Sequence, residues 1–187
     1  MDAVEEDKAR AERGIVLGRF QPFHNGHLEF VKLAKEKCDF LTVFVGEFFS
    51  YERGTSKRSF HDAFRSVAHG FGKDTLDPNP FSYEERKEMI ERSLLKAGLD
   101  AEEFEVRALS LKNFLQTPGR VYIRDGYGGL SYKTFGATLL GRDMENIGRR
   151  NGISGKELRE LLRDGKPVSE LIPEAAQNVI SRRTVRV

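Results

Sequence analysis

The sequence predicts an α/β protein, a parallel sheet with helices packed against it. Three observations carry that expectation. The first fifty residues run apolar strand, turn, amphipathic helix, strand, which is the unit that joins parallel strands by a right-handed crossover. Later segments keep alternating between short β-branched or aromatic runs and helical periodicity. Two S-x-x-E capping boxes, Ser82 with Glu85 and Ser154 with Glu157, mark helix starts further along the chain. At 187 residues the chain has room for one domain with a sizeable core.

The elements follow in order. "MDAVEEDKARAER" (1–13) is charged and reads as a flexible leader, neither signal nor transit peptide. "GIVLG" (14–18) is an apolar strand. "HLEFVKLAKEKC" (27–38) places Leu28, Val31, Ala34 and Cys38 at near-helical spacing. "FLTVFVGEFF" (40–49) is β-branched and aromatic, hence a strand. Residues 50–77 break the rhythm and read as an insertion over the sheet edge, with the character of a lid. A helix over 82–98 runs from its capping box to Gly98. "FEVRAL" (104–109), "RVYIRD" (120–125) and "ATLLG" (137–141) are further strands. "SGKELRELLRDG" (154–165) and "IPEAAQNVISR" (172–182) are helices, the second opened by a proline. The domain is thus expected over 14–182, with a tail at 183–187.

Composition excludes several classes. The formal charge of +2, from 31 basic and 29 acidic side chains, does not point to nucleic acid or membrane. A single cysteine, Cys38, precludes an intrachain disulfide and a cysteine-rich zinc site; at the end of an apolar stripe it reads as a packing residue. No apolar run reaches the length of a membrane span. The expectation is a cytoplasmic protein, for which a homo-oligomer is compatible with the sequence.

The unusual chemistry is concentrated in "GRFQPFHNGH" (18–27), which holds two of the four histidines. They come where a strand ends and a helix begins. Gly18 and Gly26 let the backbone run close to a ligand. In open α/β sheets ligands bind at the carboxyl ends of the strands, and a helix N-terminus favours phosphate. His24, His27 and Arg19 there suit negative charge developing on a phosphoryl group. A metal reading of the H-x-x-H spacing is weaker, because no Cys, Asp or Glu lies between the two histidines, and no metal ligand set is expected.

These residues resemble the H-x-G-H signature of the nucleotidyltransferase superfamily. With G-R-F-Q-P in front, the stretch is similar to the archaeal-type nicotinamide mononucleotide (NMN) adenylyltransferases. "NPFSYEERKEMI" (79–90), "ISGKELRELLRDG" (153–165) and "SELIPEAAQNVI" (169–180) resemble three more blocks of that family, in the family's order. The resemblance implies a Rossmann-like nucleotidyltransferase fold. It also implies transfer of a nucleoside monophosphate from a nucleoside triphosphate to a small phosphorylated acceptor, with release of pyrophosphate. Catalytic roles fall on His24, His27 and Arg159. Nucleotide binding falls on Gly18, Arg19, Phe20, Gly26, Ser154, Gly155 and Lys156. Ser154 has two readings, helix capping alone or capping with phosphate contact. Arg86 likewise reads as a phosphate ligand or as a solvated helix residue. Mg²⁺ is expected with the triphosphate, held mostly by phosphate oxygens and water.

Departures from the family pattern gather around the acceptor. The chain has no Trp, and the segment that carries one in the relatives is here "SLKNFLQTPG". Phe114 either stacks on the acceptor or belongs to the core. "YIRDGYGG" replaces the family's Y-S-G-N-P, so Arg124 and Asp125 become candidate acceptor ligands, and the Gly-rich 126–131 a turn beside the pocket. The third residue of S-G-T is Lys156. Lys57, Arg58 and Lys73 of the insertion read as surface charges or as groups that fold onto phosphate. The best single expectation is ATP:NMN adenylyltransferase. The alternatives are a CTP-dependent cytidylyltransferase acting on a small phosphate or phosphonate, and a catalytically silent nucleotide-binding regulator.

Overall fold

The structure, a computed structural model, describes residues 9–46, 81–124, 141–148 and 154–184. Among them five parallel strands form one sheet: β1 (Ala11–Gly18), β2 (Cys38–Val45), β3 (Phe104–Ala108), β4 (Arg120–Ile123) and β5 (Met144–Asn146). The helices are α1 (Asn25–Glu36), α2 (Tyr83–Lys96), α3 (Leu111–Gln116), α4 (Gly155–Arg163) and α5 (Glu174–Thr184). The strand order is β3-β2-β1-β4-β5. No described helix is long and apolar enough to cross a membrane.

Strand alternation sorts the core into two faces. Val16, Leu41, Val43, Val45, Val106 and Tyr122 join one cluster with Val31 and Ala34 of α1, Met89 and Ile90 of α2, Leu158 of α4 and Ala176 of α5. Ile15, Phe44, Val121 and Ile123 point the other way and pack with Phe114 of α3. Each such fully buried aliphatic or aromatic side chain contributes about 1.5–3 kcal/mol. The runs are apolar on successive residues because a parallel sheet covered on both faces has no wet side.

Three boundaries differ from the sequence reading. β1 starts at Ala11, so residues 11–13 belong to the sheet and not to a leader. The Arg10 guanidinium anchors that start, on Asp39 Oδ1 at 2.6 Å and on the Glu36 and Cys38 carbonyls. A helix, α3, forms within 110–119, capped by the Ser110 hydroxyl, which accepts from the Asn113 N–H at 3.0 Å. The strand beside β4 is "MEN", later than "ATLLG", of which 137–140 lie outside the described residues. β5 is short and polar, and charge holds its place. Arg120 donates to Asp143 at 2.6 Å and Glu145 at 3.1 Å, and Lys37 pairs with Glu145 at 2.8 Å. The expected insertion at 50–77, with Lys57, Arg58 and Lys73, lies outside the described residues.

Candidate active site

The strand order creates the site. β1 and β4 are neighbours, but the chain leaves β1 towards β2 on one side and reaches β4 from β3 across the sheet. Where order reverses in this way, a crevice opens beyond the carboxyl ends of the two strands. The "GRFQPFHNGH" loop leaves β1 at that point, and Arg124 follows β4.

The loop is tightly built. Phe20 is buried with a left-handed backbone, φ +52°, a conformation that costs about 1–3 kcal/mol and persists only where the surroundings impose it. A Cβ on Gly18 would sit 2.6 Å from the Phe20 ring, so the strand must end in glycine for the ring to fold back. His24 is the N-cap of α1, with extended backbone. Its carbonyl accepts from the N–H groups of His27 (2.8 Å) and Leu28 (3.0 Å), but its side chain makes no cap. The imidazole is thereby left for other work.

The two imidazoles stack, with ring centroids 3.6 Å apart and planes at 27°. Phe20 meets His27 edge-on at 5.0 Å, and Phe23 lies against its other side at 5.8 Å. A Cβ on Gly26 would come within 3.2 Å of the His24 ring, so any larger residue there would press on that ring. Nδ1 and Nε2 of His24 and Nδ1 of His27 are buried and meet no hydrogen-bond partner among the described residues. Unpaired buried polar atoms are rare and costly, and three together mark this loop as a candidate ligand site.

Electrostatics keep this pair neutral. Burial, then the nearby Arg124 guanidinium, lower the His24 pKa from 6.5 to about 4. His27 is lowered well below its ordinary value, first by burial, then by His24 and Arg124; a hydrogen bond with the Pro22 backbone opposes this, and Arg19 adds to it. Arg124 donates to the Gly26 carbonyl at 3.1 Å and lies 5.2 Å over the Phe30 ring, flat against the first turns of α1.

The α4 block arrives at the same loop. Arg159 Nη1 donates to the Gln21 carbonyl at 2.8 Å. A Cβ on Gly155 would lie 3.3 Å from that carbonyl oxygen. Ser154 forms the expected capping box. Its Oγ accepts from the Glu157 N–H at 3.2 Å and donates to the Glu157 carboxylate at 2.7 Å, while that carboxylate accepts from the Ser154 N–H at 2.8 Å. Gly18, Arg19, Phe20, His24, Gly26, His27, Ser154, Gly155 and Arg159 are therefore assembled around one loop. The Lys156 side chain, Asp125 and residues 126–131 lie outside the description. Phe114 lies elsewhere. It packs with Phe44 at 6.1 Å in the cluster on the opposite face from α1, beneath Arg142 at 5.0 Å.

Two residues matter that sequence reasoning undervalued. Arg86 is a buried brace, not a solvated helix residue. Its Nη1 donates to the carbonyls of Arg19 (2.9 Å) and Gly46 (2.8 Å), at the ends of β1 and β2. Gln21 is buried, and its side-chain amide pairs with the Phe81 backbone. The available signal was a long polar side chain between Phe20 and Pro22, just past the end of an apolar strand. Among the described residues no cluster of three or more His, Cys, Asp or Glu comes together. A divalent cation carried on a triphosphate fits these residues.

The chain is similar to several known proteins. A family model described as Cytidylyltransferase-like matches residues 15–66. The chain is 27% identical over 180 residues to the phosphonoformate cytidylyltransferase of Streptomyces viridochromogenes, covering 91% of each. It is 25% identical over 178 residues to the nicotinamide-nucleotide adenylyltransferase of Thermococcus onnurineus, covering 90% of this chain and 82% of that one. Its fold is shared with a bifunctional NMN adenylyltransferase/ADP ribose pyrophosphatase from Francisella tularensis, at a TM-score of 0.61 and 18% identity over 93% of this chain. The chain spans about half of that longer protein, 54% of its length. A second structure of the Francisella protein holds AMP and a manganese ion (TM-score 0.57, 17% identity, 93% of this chain and 53% of that one).

Proposed function

We propose that the chain, similar to a phosphonoformate cytidylyltransferase and to archaeal nicotinamide-nucleotide adenylyltransferases, acts as a nucleotidyltransferase that moves a nucleoside monophosphate from a nucleoside triphosphate to a small phosphorylated or phosphonate acceptor. The observation that supports this best is the stacked, neutral imidazole pair at the β1–β4 crevice, three of whose four ring nitrogens meet no partner among the described residues. An acceptor oxygen attacks the α-phosphorus, the bond from that phosphorus to the bridging oxygen breaks, and pyrophosphate leaves with the electron pair. An anionic acceptor oxygen has no proton to lose, so no general base is required. The protein must align two anions and stabilise charge on the α-phosphoryl group. His24 and His27 supply N–H donors, Arg19 and Arg124 supply fixed charge, and the N-terminus of α4 with Arg159 holds the triphosphate end. A divalent cation such as Mg²⁺ would enter with the triphosphate and would neutralise part of its charge.

ATP with NMN is the leading substrate pair. The second reading, CTP with a compact phosphonate, is favoured by Phe114. The sole aromatic of the Trp-less 110–119 segment is committed to the core on the opposite face and offers no platform for a pyridinium ring. A screen of pyrophosphate release decides, with four triphosphates against NMN, nicotinate mononucleotide and small phosphates and phosphonates. Efficient turnover of NMN with ATP alone selects the first reading, and CTP with a phosphonate the second. Triphosphate binding with no turnover on any acceptor leaves the silent regulator.

A further inference from the structure

We propose that Gln21 is the positioning residue of this site, setting the histidine loop against the two other segments that carry the triphosphate machinery. The inference rests on the nucleotidyl-transfer reading and adds to it a residue that would touch neither substrate.

Gln21 is 2% exposed. Its side-chain Nε2 donates to the Phe81 carbonyl at 2.6 Å, and its Oε1 accepts from the Phe81 N–H at 3.1 Å. A primary amide facing a peptide unit in this way satisfies both backbone groups of one residue, much as a strand neighbour does. Phe81 stands directly before Ser82, the N-cap of α2. Gln21 therefore fixes where α2 begins, and α2 carries Arg86, which returns to the Arg19 carbonyl. On its other side the Gln21 carbonyl accepts from Arg159 of α4 and lies against Gly155. One residue thus joins three segments, 60 and 138 positions apart in sequence. It lies between Phe20, whose strained backbone needs to be held, and His24, whose ring needs to be aimed. An apolar residue would fill the space but leave the Phe81 N–H and carbonyl unpaired.

Gln21→Glu and Gln21→Leu test this. The carboxylate of Gln21→Glu accepts from the Phe81 N–H but repels the Phe81 carbonyl. Once protonated it regains a donor, and burial raises its pKa towards neutrality. Triphosphate affinity of Gln21→Glu, measured by calorimetry at pH 8, should fall about tenfold or more, a displacement effect. Relative to wild type it should recover as pH falls towards 6. Gln21→Leu should show the same loss with no recovery. The ¹⁵N resonances of the His24 and His27 imidazoles should move in both variants. Wild-type affinity with unmoved imidazole resonances overturns the proposal, as does a loss in Gln21→Glu that pH does not relieve. If Gln21→Glu does not fold, Gln21→Leu decides by affinity and resonance alone. A wild-type protein that binds no triphosphate refutes the proposed function, while the imidazole resonances of the variants still report on Gln21.

Discussion

Replacing His24 by Gln should flatten the acid limb of the protein's stability curve. The folded protein holds His24 at about 4, against 6.5 for the free side chain, chiefly because the ring is buried. The folded pKa is the lower one, so between pH 6.5 and 4 the unfolded chain binds more protons. Stability is therefore full above pH 6.5 and falls as the pH drops towards 4. The difference is about 2.5 pH units, and each unit corresponds to about 1.4 kcal/mol, so His24 alone should cost about 3 kcal/mol once the limb is complete. His27 is shifted in the same direction, partly by His24 itself, so removing His24 also relieves its neighbour. Urea unfolding of wild type and His24→Gln at pH 7.5 and 4.5 measures the effect. The wild type should lose at least about 2 kcal/mol more than the variant over that interval. Carboxylates titrate in both proteins and cancel. Equal losses in the two would mean that the imidazole is solvated and titrates normally, and the case for a pair awaiting a ligand would fall with it.

Three further expectations follow from the same geometry. His27→Ala should lower kcat/KM by about 10²–10³, the effect of losing one donor to developing charge, while the urea midpoint at pH 7.5 stays close to wild type; near-normal turnover would remove His27 from the chemistry. Arg159→Ala should weaken triphosphate binding more than acceptor binding in calorimetric titrations, because it detaches α4 from the Gln21 carbonyl; equal effects would argue for a general loosening. Arg124→Gln should raise the pKa of both histidines in an NMR titration, since the guanidinium depresses both, and should raise the KM for the acceptor; unmoved titration curves would place the charge too far away to act.

Much of the frame was legible because hydrophobic pattern sets it. Val16, Val43 and Val45, and the alternating Ile15 and Phe44, define two-sided strands, and Val31 with Ala34 defines the buried stripe of α1. Both capping boxes formed as their spacing demanded. What stayed hidden was held by charge or by distant backbone. β5 has no apolar signature, because Arg120 and Lys37 fix it through Asp143 and Glu145. Ala11, Glu12 and Arg13 look like leader, yet Arg10 and the β2 ladder make them a strand. In the site, the histidines and glycines announced themselves by density in a strand-to-helix turn. Arg86 and Gln21 did not, because their partners are main-chain groups at Gly46 and Phe81, which no local pattern reveals. Phe114 is ambiguous in sequence for a similar reason. Only the placement of α3 decides which face of the sheet an aromatic serves.

The ties described also separate the two halves of the reaction. Groups assigned to the triphosphate are bound to one another through the main chain: Arg159 to Gln21, Gln21 to Phe81, Arg86 to Arg19 and Gly46. A change in any of them is felt by the rest, because buried amide and guanidinium partners cannot be removed singly without leaving a carbonyl unsatisfied. Arg124 enters from β4 on the other side of the switch point and leans on α1 through the Gly26 carbonyl and the Phe30 ring. Neither of those contacts passes through Gln21. On the proposed reading, residues beyond Arg124 can therefore vary with the acceptor, while Arg124 itself also supports the histidine loop through the Gly26 carbonyl. Most of the chain's own departures follow this division. His24, Gly26 and His27 are retained, as are Ser154 and Gly155, and "YIRDGYGG" stands in place of Y-S-G-N-P; Lys156 is the exception on the triphosphate side. On the proposed reading, changes at that strand end would alter which anion attacks while the ties among Gln21, Phe81, Arg86 and Arg159 stay as they are.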